Sequence, residues 1–235
     1  MLNQRKDAGL SYAVVQVFEN GKPLHISKES AYDNAVATKW GYCEYNGISG
    51  WICLSQCSVV VEKTAENKLA AESIEKVELK AECTEDAETA EITALDKDGN
   101  AVWTIKDESK GVAQNSKFTD LGVSEGKYYY IADGRLKVLN LCDGSEAWSV
   151  RGVKGNSGKI DADTGVFFTA ESLSGDIFVY NCYGMKLEEI KNPTDGSLFP
   201  VVEEIKDGKV KISYIEPDVN VFLSMEGEEI KVEKE

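Results

Sequence analysis

Histidine, methionine and proline are nearly missing from this chain of 235 residues, with one, three and four copies. A single histidine, His25, removes most histidine-dependent catalysis and any histidine-rich metal site. Four Pro and twenty Gly exclude collagen-like and low-complexity classes. No run of about 18 apolar residues occurs, so the sequence offers no membrane-spanning helix. Basic residues are also in short supply, 26 against 41 acidic for a net charge of −15. That balance argues against nucleic acid as a partner, because phosphate binding needs a basic face. What is present is a hydrophobic fraction of 42%, enough for one large core or two small ones.

Charge divides the chain. Residues 1–62 carry 5 basic and 6 acidic groups, whereas residues 63–235 carry 21 and 35. Such asymmetry points to two units with different surfaces. Between them, the stretch from Glu62 to Leu79 is rich in Ala, Glu and Lys and reads as a linker with helical tendency. We place the units at 1–61 and 73–235, with a linker at 62–72. The opening residues Met1–Asp7 lack the apolar segment of a secretory leader. The expectation is an extracellular or cell-surface protein whose export signal has been removed.

Elsewhere nearly every segment alternates apolar and polar residues in short runs between Gly-containing turns, the pattern of an all-β chain. The second unit repeats. Gly99, Gly144, Gly184 and Gly227 follow one another at intervals of 45, 40 and 43, and Gly126, Gly165 and Gly208 at 39 and 43. Two hairpin marks per repeat of about forty residues imply four strands per repeat, the size of a propeller blade. Full repeats lie near 117–151, 157–191 and 198–233, and a less regular first one near 70–106. Asp96, Asp98 and Asn100 have the alternate spacing of a calcium loop, but no Glu closes it at the twelfth position. The hairpin reading is preferred.

The six cysteines are Cys43, Cys53, Cys57, Cys83, Cys142 and Cys182. Cys53 and Cys57 have no second pair to complete a zinc site, and the expectation is of small buried thiols. Cys142 and Cys182 occupy equivalent places in two repeats. No metal, cofactor or catalytic residue is assigned.

Two turns, Ala94-Leu95-Asp96-Lys97-Asp98-Gly99 with Trp103 and Val138-Leu139-Asn140-Leu141-Cys142-Asp143-Gly144 with Trp148, resemble the pyrroloquinoline-quinone-type propeller repeat. The resemblance covers roughly residues 70–235 and implies that each Trp packs between blades. The third and fourth repeats place Glu188 and Lys231 at the Trp position, and only four repeats are visible. The implied protein is a non-catalytic relative.

Residues 2–57 resemble a bacterial SH3-like domain of cell-wall proteins. The matching residues are Leu2-Asn3 with Arg5, Val14-Val15, Phe18 with Gly21, Leu24 with Ile26, Trp40 with Tyr42, Tyr45 with Gly47, and Gly50-Trp51-Ile52. Gln4 and Asp7-Ala8-Gly9 depart from the family pattern near its binding groove. The resemblance implies a site at Arg5, Trp40, Tyr42 and Tyr45, with peptidoglycan or a cell-envelope protein as partner. From the residues alone, Trp51 in its apolar strand reads as core and Trp40 as half-exposed. His25, between Leu24 and Ile26, points away from them, and Tyr42 and Tyr45 fall on opposite strand faces. The leading expectation is therefore all-β: a small SH3-like barrel plus a four-repeat propeller-like unit of four-stranded blades, acting as a non-catalytic binding protein. The alternatives are a propeller-based enzyme or metal or quinone sensor, and a scaffold without ligand.

Overall fold

The computed structural model describes residues 1–58, 70–83, 87–110, 118–216, 218–226 and 229–234. Five strands form the N-terminal sheet: β1 (Leu2–Arg5), β2 (Val14–Phe18), β3 (Lys28–Glu29), β4 (Trp40–Tyr45) and β5 (Ile48–Cys53), in the order β2-β1-β5-β4-β3. Its apolar side gathers Phe18, Cys43 and Ile52, with Leu2, Leu24, Ile26 and Tyr45 against them. His25 is exposed between the half-buried Leu24 and Ile26, as their alternation requires. Gln4 lies in β1 and is fully buried, its Nε2 donating to the Cys43 carbonyl at 2.9 Å. The expectation that it sits in a loop by a groove is corrected: even strand parity turns it inward.

Four antiparallel sheets follow. The first is β6 (Ile74–Cys83), β7 (Ala87–Asp96) and β8 (Ala101–Lys110), and the second β9 (Phe118–Ser124), β10 (Lys127–Ala132), β11 (Arg135–Asn140) and β12 (Glu146–Arg151). The third is β13 (Ser157–Ile160), β14 (Phe167–Ala170), β15 (Ile177–Tyr180) and β16 (Lys186–Ile190), and the fourth β17 (Leu198–Lys206), β18 (Lys209–Glu216), β19 (Asp218–Glu226) and β20 (Glu229–Lys234). Each is a meander in chain order, the form of a propeller blade. Two expectations change. Among the described residues the first sheet has three strands rather than four. Ile74–Leu79, expected to prolong the linker, instead opens β6, because Ile74, Val77 and Leu79 find apolar partners on the second sheet. Most of the expected linker, and Gly227, lie outside the described residues.

Turn chemistry sets the meanders. Glu125-Gly126, Asp133-Gly134 and Asp207-Gly208 are two-residue hairpin turns with positive φ at both positions, the backbone that matches strand twist and favours Gly second. The hairpins at Gly99, Gly144 and Gly184 are longer, and a register shift follows in each ladder, between Ala94/Leu95, Val138/Leu139 and Val179/Tyr180. In the first of them Asp96 Oδ1 accepts from the Asp98 and Asn100 amides at 2.9 and 2.8 Å. Those bonds hold its carboxyl below the usual range and spend it on the turn.

Packing runs from sheet to sheet. Tyr128 and Tyr130 of the second sheet face Ala90 and Ile92 of the first. Tyr129, Val138 and Trp148 face Phe167, Phe178 and Tyr180 of the third, and Phe168, Ile177 and Val179 face Ile212, Val221 and Leu223 of the fourth. Each large side chain fully buried this way contributes on the order of 1.5–3 kcal/mol. Trp103 donates Nε1 to the Leu141 carbonyl at 2.7 Å, and the Trp148 ring meets that of Tyr183 at 5.5 Å between centroids and a tilt of 36°. Both tryptophans thus reach from their own sheet to the next sheet's last turn. Among the described residues no buried cluster joins the fourth sheet to the first. The outward faces of these two carry ion pairs and hydroxyl bonds instead: Lys106–Glu91 and Thr93–Thr104 on one, Lys211–Glu203 and Ser213–Asn220 on the other.

The N-terminal sheet is seated on the later sheets. Asn20 Nδ2 donates to the Arg151 carbonyl at 3.2 Å and Ser58 Oγ to the Ser149 carbonyl at 2.6 Å. Gly21 lies so close to the Tyr183–Met185 turn that a Cβ there would overlap its backbone.

Candidate binding face of the N-terminal sheet

The Asn46-Gly47 turn, with φ of 50° and 76°, closes a two-residue hairpin that fixes the β4–β5 register. Tyr42 therefore stands opposite Trp51. On the other side of Trp51 the ladder places Arg5, then Val14, and on the far side of Tyr42 it places Lys28. Five strands thus contribute one transverse row, Val14–Arg5–Trp51–Tyr42–Lys28, on the face opposite the apolar core.

Within the row the rings meet edge to face, Tyr42 and Trp51 at 5.3 Å between centroids and 71° between planes. Lys28 Nζ lies 4.5 Å from the Tyr42 centroid and 5.2 Å from that of Trp51. At exposed sites such a cation over a ring contributes about 0.5–1 kcal/mol. Arg5 donates Nη1 to the Tyr12 carbonyl at 2.7 Å, which holds the guanidinium beside the Lys6–Ala13 loop and leaves its other donors unused. Arg5, Tyr42 and Trp51 are half-buried and Lys28 and Val14 exposed. The arrangement can lay a flat apolar or amide group along two rings and hold an anionic end with a cation.

The site expected from sequence is partly assembled here. Arg5 and Tyr42 share the row. Trp40 is on the same strand face but only 1% exposed. Its Nε1 donates to Asp33 Oδ2 at 2.9 Å and its amide to Ser30 Oγ at 2.9 Å, so the 30–35 segment covers it. The expectation of a half-exposed Trp40 and a core Trp51 is thus reversed: the covering loop buries one, while no element covers the other. Tyr45 lies on the opposite face, edge-on to Phe18 at 5.7 Å with Lys22 4.4 Å over its ring. Trp51 and Lys28 were missed as site residues. The turn at Asn46-Gly47 carries the signal for Trp51. Nothing in the sequence carries one for Lys28, whose strand has two residues.

A hollow of about 540 Å³ lies between Ala8 and the Ser30–Ala35 segment beside Trp40. Asp33 is already committed there to Trp40 and, through Oδ1, to the Ala35 amide at 2.9 Å. Of the thiols, Cys43, Cys53 and Cys57 belong to this unit, while Cys142 and Cys182 sit at equivalent points of successive blade turns. None of these five forms a disulfide. Burial, then Cys53 and Cys43 nearby, push the Cys57 thiol up to about 11. It is protonated at neutral pH and poor as a nucleophile. Among the described residues no group of three or more His, Cys, Asp or Glu side chains is placed to hold a metal ion.

No known protein family matches the sequence, and no curated protein matches it. Three solved structures align with parts of the chain. Apo AztD from Citrobacter koseri aligns with a TM-score of 0.39 at 10% identity over 66% of this chain and 46% of its own. Regucalcin from Agrobacterium tumefaciens strain C58, a calcium-binding protein, aligns at 0.33 and 14% identity over 53% and 49%. KlHsv2 with loop 6CD replaced by a Gly-Ser linker aligns at 0.45 and 10% identity over 93% and 72%. The chain spans about half the length of the first two.

Proposed function

We propose that this protein is a non-catalytic binding protein of the cell surface or extracellular space. In this reading the N-terminal sheet is an SH3-like module that takes a peptide of the cell wall or of a cell-envelope protein, and the blade-like sheets are its scaffold. The observation that carries the reading is the row of Arg5, Trp51, Tyr42 and Lys28, which leaves two aromatic side chains and two cations accessible along one line. Wall peptides present apolar stems, amides and carboxylates, and this row offers a counterpart to each. The charge distribution supports the same face. The first unit is close to neutral, whereas the remainder carries most of the net −15 and repels anionic polymers. A shallow row of this kind binds weakly, with a Kd of about 10 µM to 1 mM.

The test is co-sedimentation of the full chain with purified peptidoglycan. Trp51→Ala and Arg5→Gln are expected to abolish it while leaving the circular dichroism spectrum of the folded protein unchanged and unfolding cooperative well above the assay temperature. Lys159→Gln, on the exposed side of the third blade, is expected to sediment as the parent does. Absence of sedimentation by the parent, or full retention by Trp51→Ala, would refute the proposal.

A further inference from the structure

The N-terminal sheet ends on β2, which pairs with β1 alone. Its sequence is Val14-Val15-Gln16-Val17-Phe18. Among the described residues no backbone hydrogen bond outside the β1 ladder involves these five, so one side of the strand is open. An open edge is a template for another strand, and proteins guard such edges with charged side chains. This protein does so with one exception. The edge strands β3, β6, β8, β9, β12, β13, β16, β17 and β20 each carry at least one Asp, Glu, Lys or Arg, whereas β2 carries none. In a chain that is 29% charged, the omission singles this edge out.

Its side chains make the edge apolar as well. Val14 and Val17 stand opposite Arg5 and Asn3, on the sheet face away from the core, and Val15 is the extra residue of a bulge between the Gln4–Gln16 and Arg5–Val14 pairs. Val14, Val15 and Val17 are 44%, 40% and 49% exposed. Charge decides what fits against them. Like charges directly opposite across a ladder destabilise it. When β2 is paired antiparallel with its own copy, centred on any of its five residues, no like charges stand opposite each other. The surrounding unit is close to neutral, with 5 basic and 6 acidic groups in residues 1–62 against 21 and 35 beyond. Two copies of a chain with net charge −15 therefore meet with least repulsion through this unit.

We propose that β2 pairs antiparallel with β2 of a second copy of this chain, about a two-fold axis normal to the sheet. The two five-stranded sheets then form one continuous sheet, and the exposed valines of each copy flank those of the other. The bulge and a length of five residues keep the contact small, so the dimer is weak, with a Kd on the order of 10–100 µM. An axis normal to the sheet leaves both outer faces on the same side. The consequence rests on the function proposed above: two rows of Arg5, Trp51, Tyr42 and Lys28 lie on one face, and a repeating wall polymer engages both, which raises avidity without a new contact.

The test is sedimentation-velocity ultracentrifugation of the full chain from about 5 to 500 µM, a range that brackets this constant. A reversible monomer–dimer equilibrium is expected. Val15→Lys and Val17→Lys are expected to abolish it, and Val102→Lys, at a valine of similar exposure on the first blade-like sheet, to preserve it. Hydrogen exchange on the parent needs no variant. Amides of residues 11–20 are expected to exchange more slowly at the highest concentration than at the lowest, and those of β8 and β20 equally at both. A parent that stays monomeric, a dimer retained by both Val15→Lys and Val17→Lys, a dimer lost in Val102→Lys, or no concentration dependence in residues 11–20 would each overturn the proposal. A dimer that fails to sediment with peptidoglycan upholds this pairing and refutes only the binding function.

Discussion

Replacing Gly144 by alanine should damage the protein through Trp103, and the damage can be apportioned. Gly144 has φ of 71°, where an alanine costs about 1 kcal/mol for its backbone alone. A Cβ at this position would also stand 2.8 Å from Cε3 and 2.9 Å from Cδ2 of the Trp103 indole. Carbon atoms prefer about 3.5–4.0 Å, so the ring must retreat by roughly an ångström. That motion stretches the 2.7 Å bond from Trp103 Nε1 to the Leu141 carbonyl, a loss of about 0.5–1.5 kcal/mol, and opens the contact between the first two sheets. The total for Gly144→Ala is about 2–4 kcal/mol. With Trp103→Ala already in place the ring is gone, and the same substitution should cost only the backbone part, about 1 kcal/mol. A double-mutant cycle in urea, followed by near-ultraviolet circular dichroism, should therefore show a coupling of about 1–3 kcal/mol between the two sites. Additive costs within about 0.5 kcal/mol would refute the assignment of Trp103 as the clamp between blades.

Other outcomes follow from the same coordinates. Trp40→Ala should cost about 3–5 kcal/mol and Trp51→Ala under about 1.5, measured by thermal unfolding; equal costs would contradict their placement. Tyr214→Phe removes a bond of 2.7 Å to the buried Gly175 carbonyl and should lower stability by about 1–2 kcal/mol, with an unchanged urea midpoint counting against it. The folded state holds the Cys57 proton more tightly than the unfolded chain does, about 11 against 9.0. This contribution is complete below pH 9 and lost as pH rises through about 11. Cys57→Ala should therefore flatten the alkaline fall in stability between pH 9 and 11, and identical pH profiles would show the burial to be wrong.

The repeats were legible because their turns are. A glycine needed at positive φ recurs at fixed distance from the same strand, so Gly126, Gly165 and Gly208 marked the first hairpin of each four-stranded sheet and Gly144 and Gly184 the last. The same marks did not disclose a three-stranded first sheet, because Ile74–Leu79 ends a longer stretch, from Glu62, whose Ala, Glu and Lys composition is that of a helix, and it packs as strand in one apolar cluster with distant Tyr128 and Tyr130. On the N-terminal sheet, parity separated Tyr42 from Tyr45, but burial of Trp40 depends on a loop folding back over it through Asp33 and Ser30. No alternation within β4 encodes that loop.

The seat of the N-terminal sheet has a consequence for the order of events during synthesis. Gly21 leaves the ribosome early, but its socket at Tyr183–Met185 is made roughly 160 residues later, after the first two blade-like sheets. At about 5–20 residues per second the interval is on the order of 10–30 s. Throughout it the first sheet must persist without its seat, with the surface around Gly21 open to water and to other nascent chains. A truncation ending before residue 183 would make that waiting state permanent, and a chaperone that favours unseated sheets would bind it in preference to the finished protein.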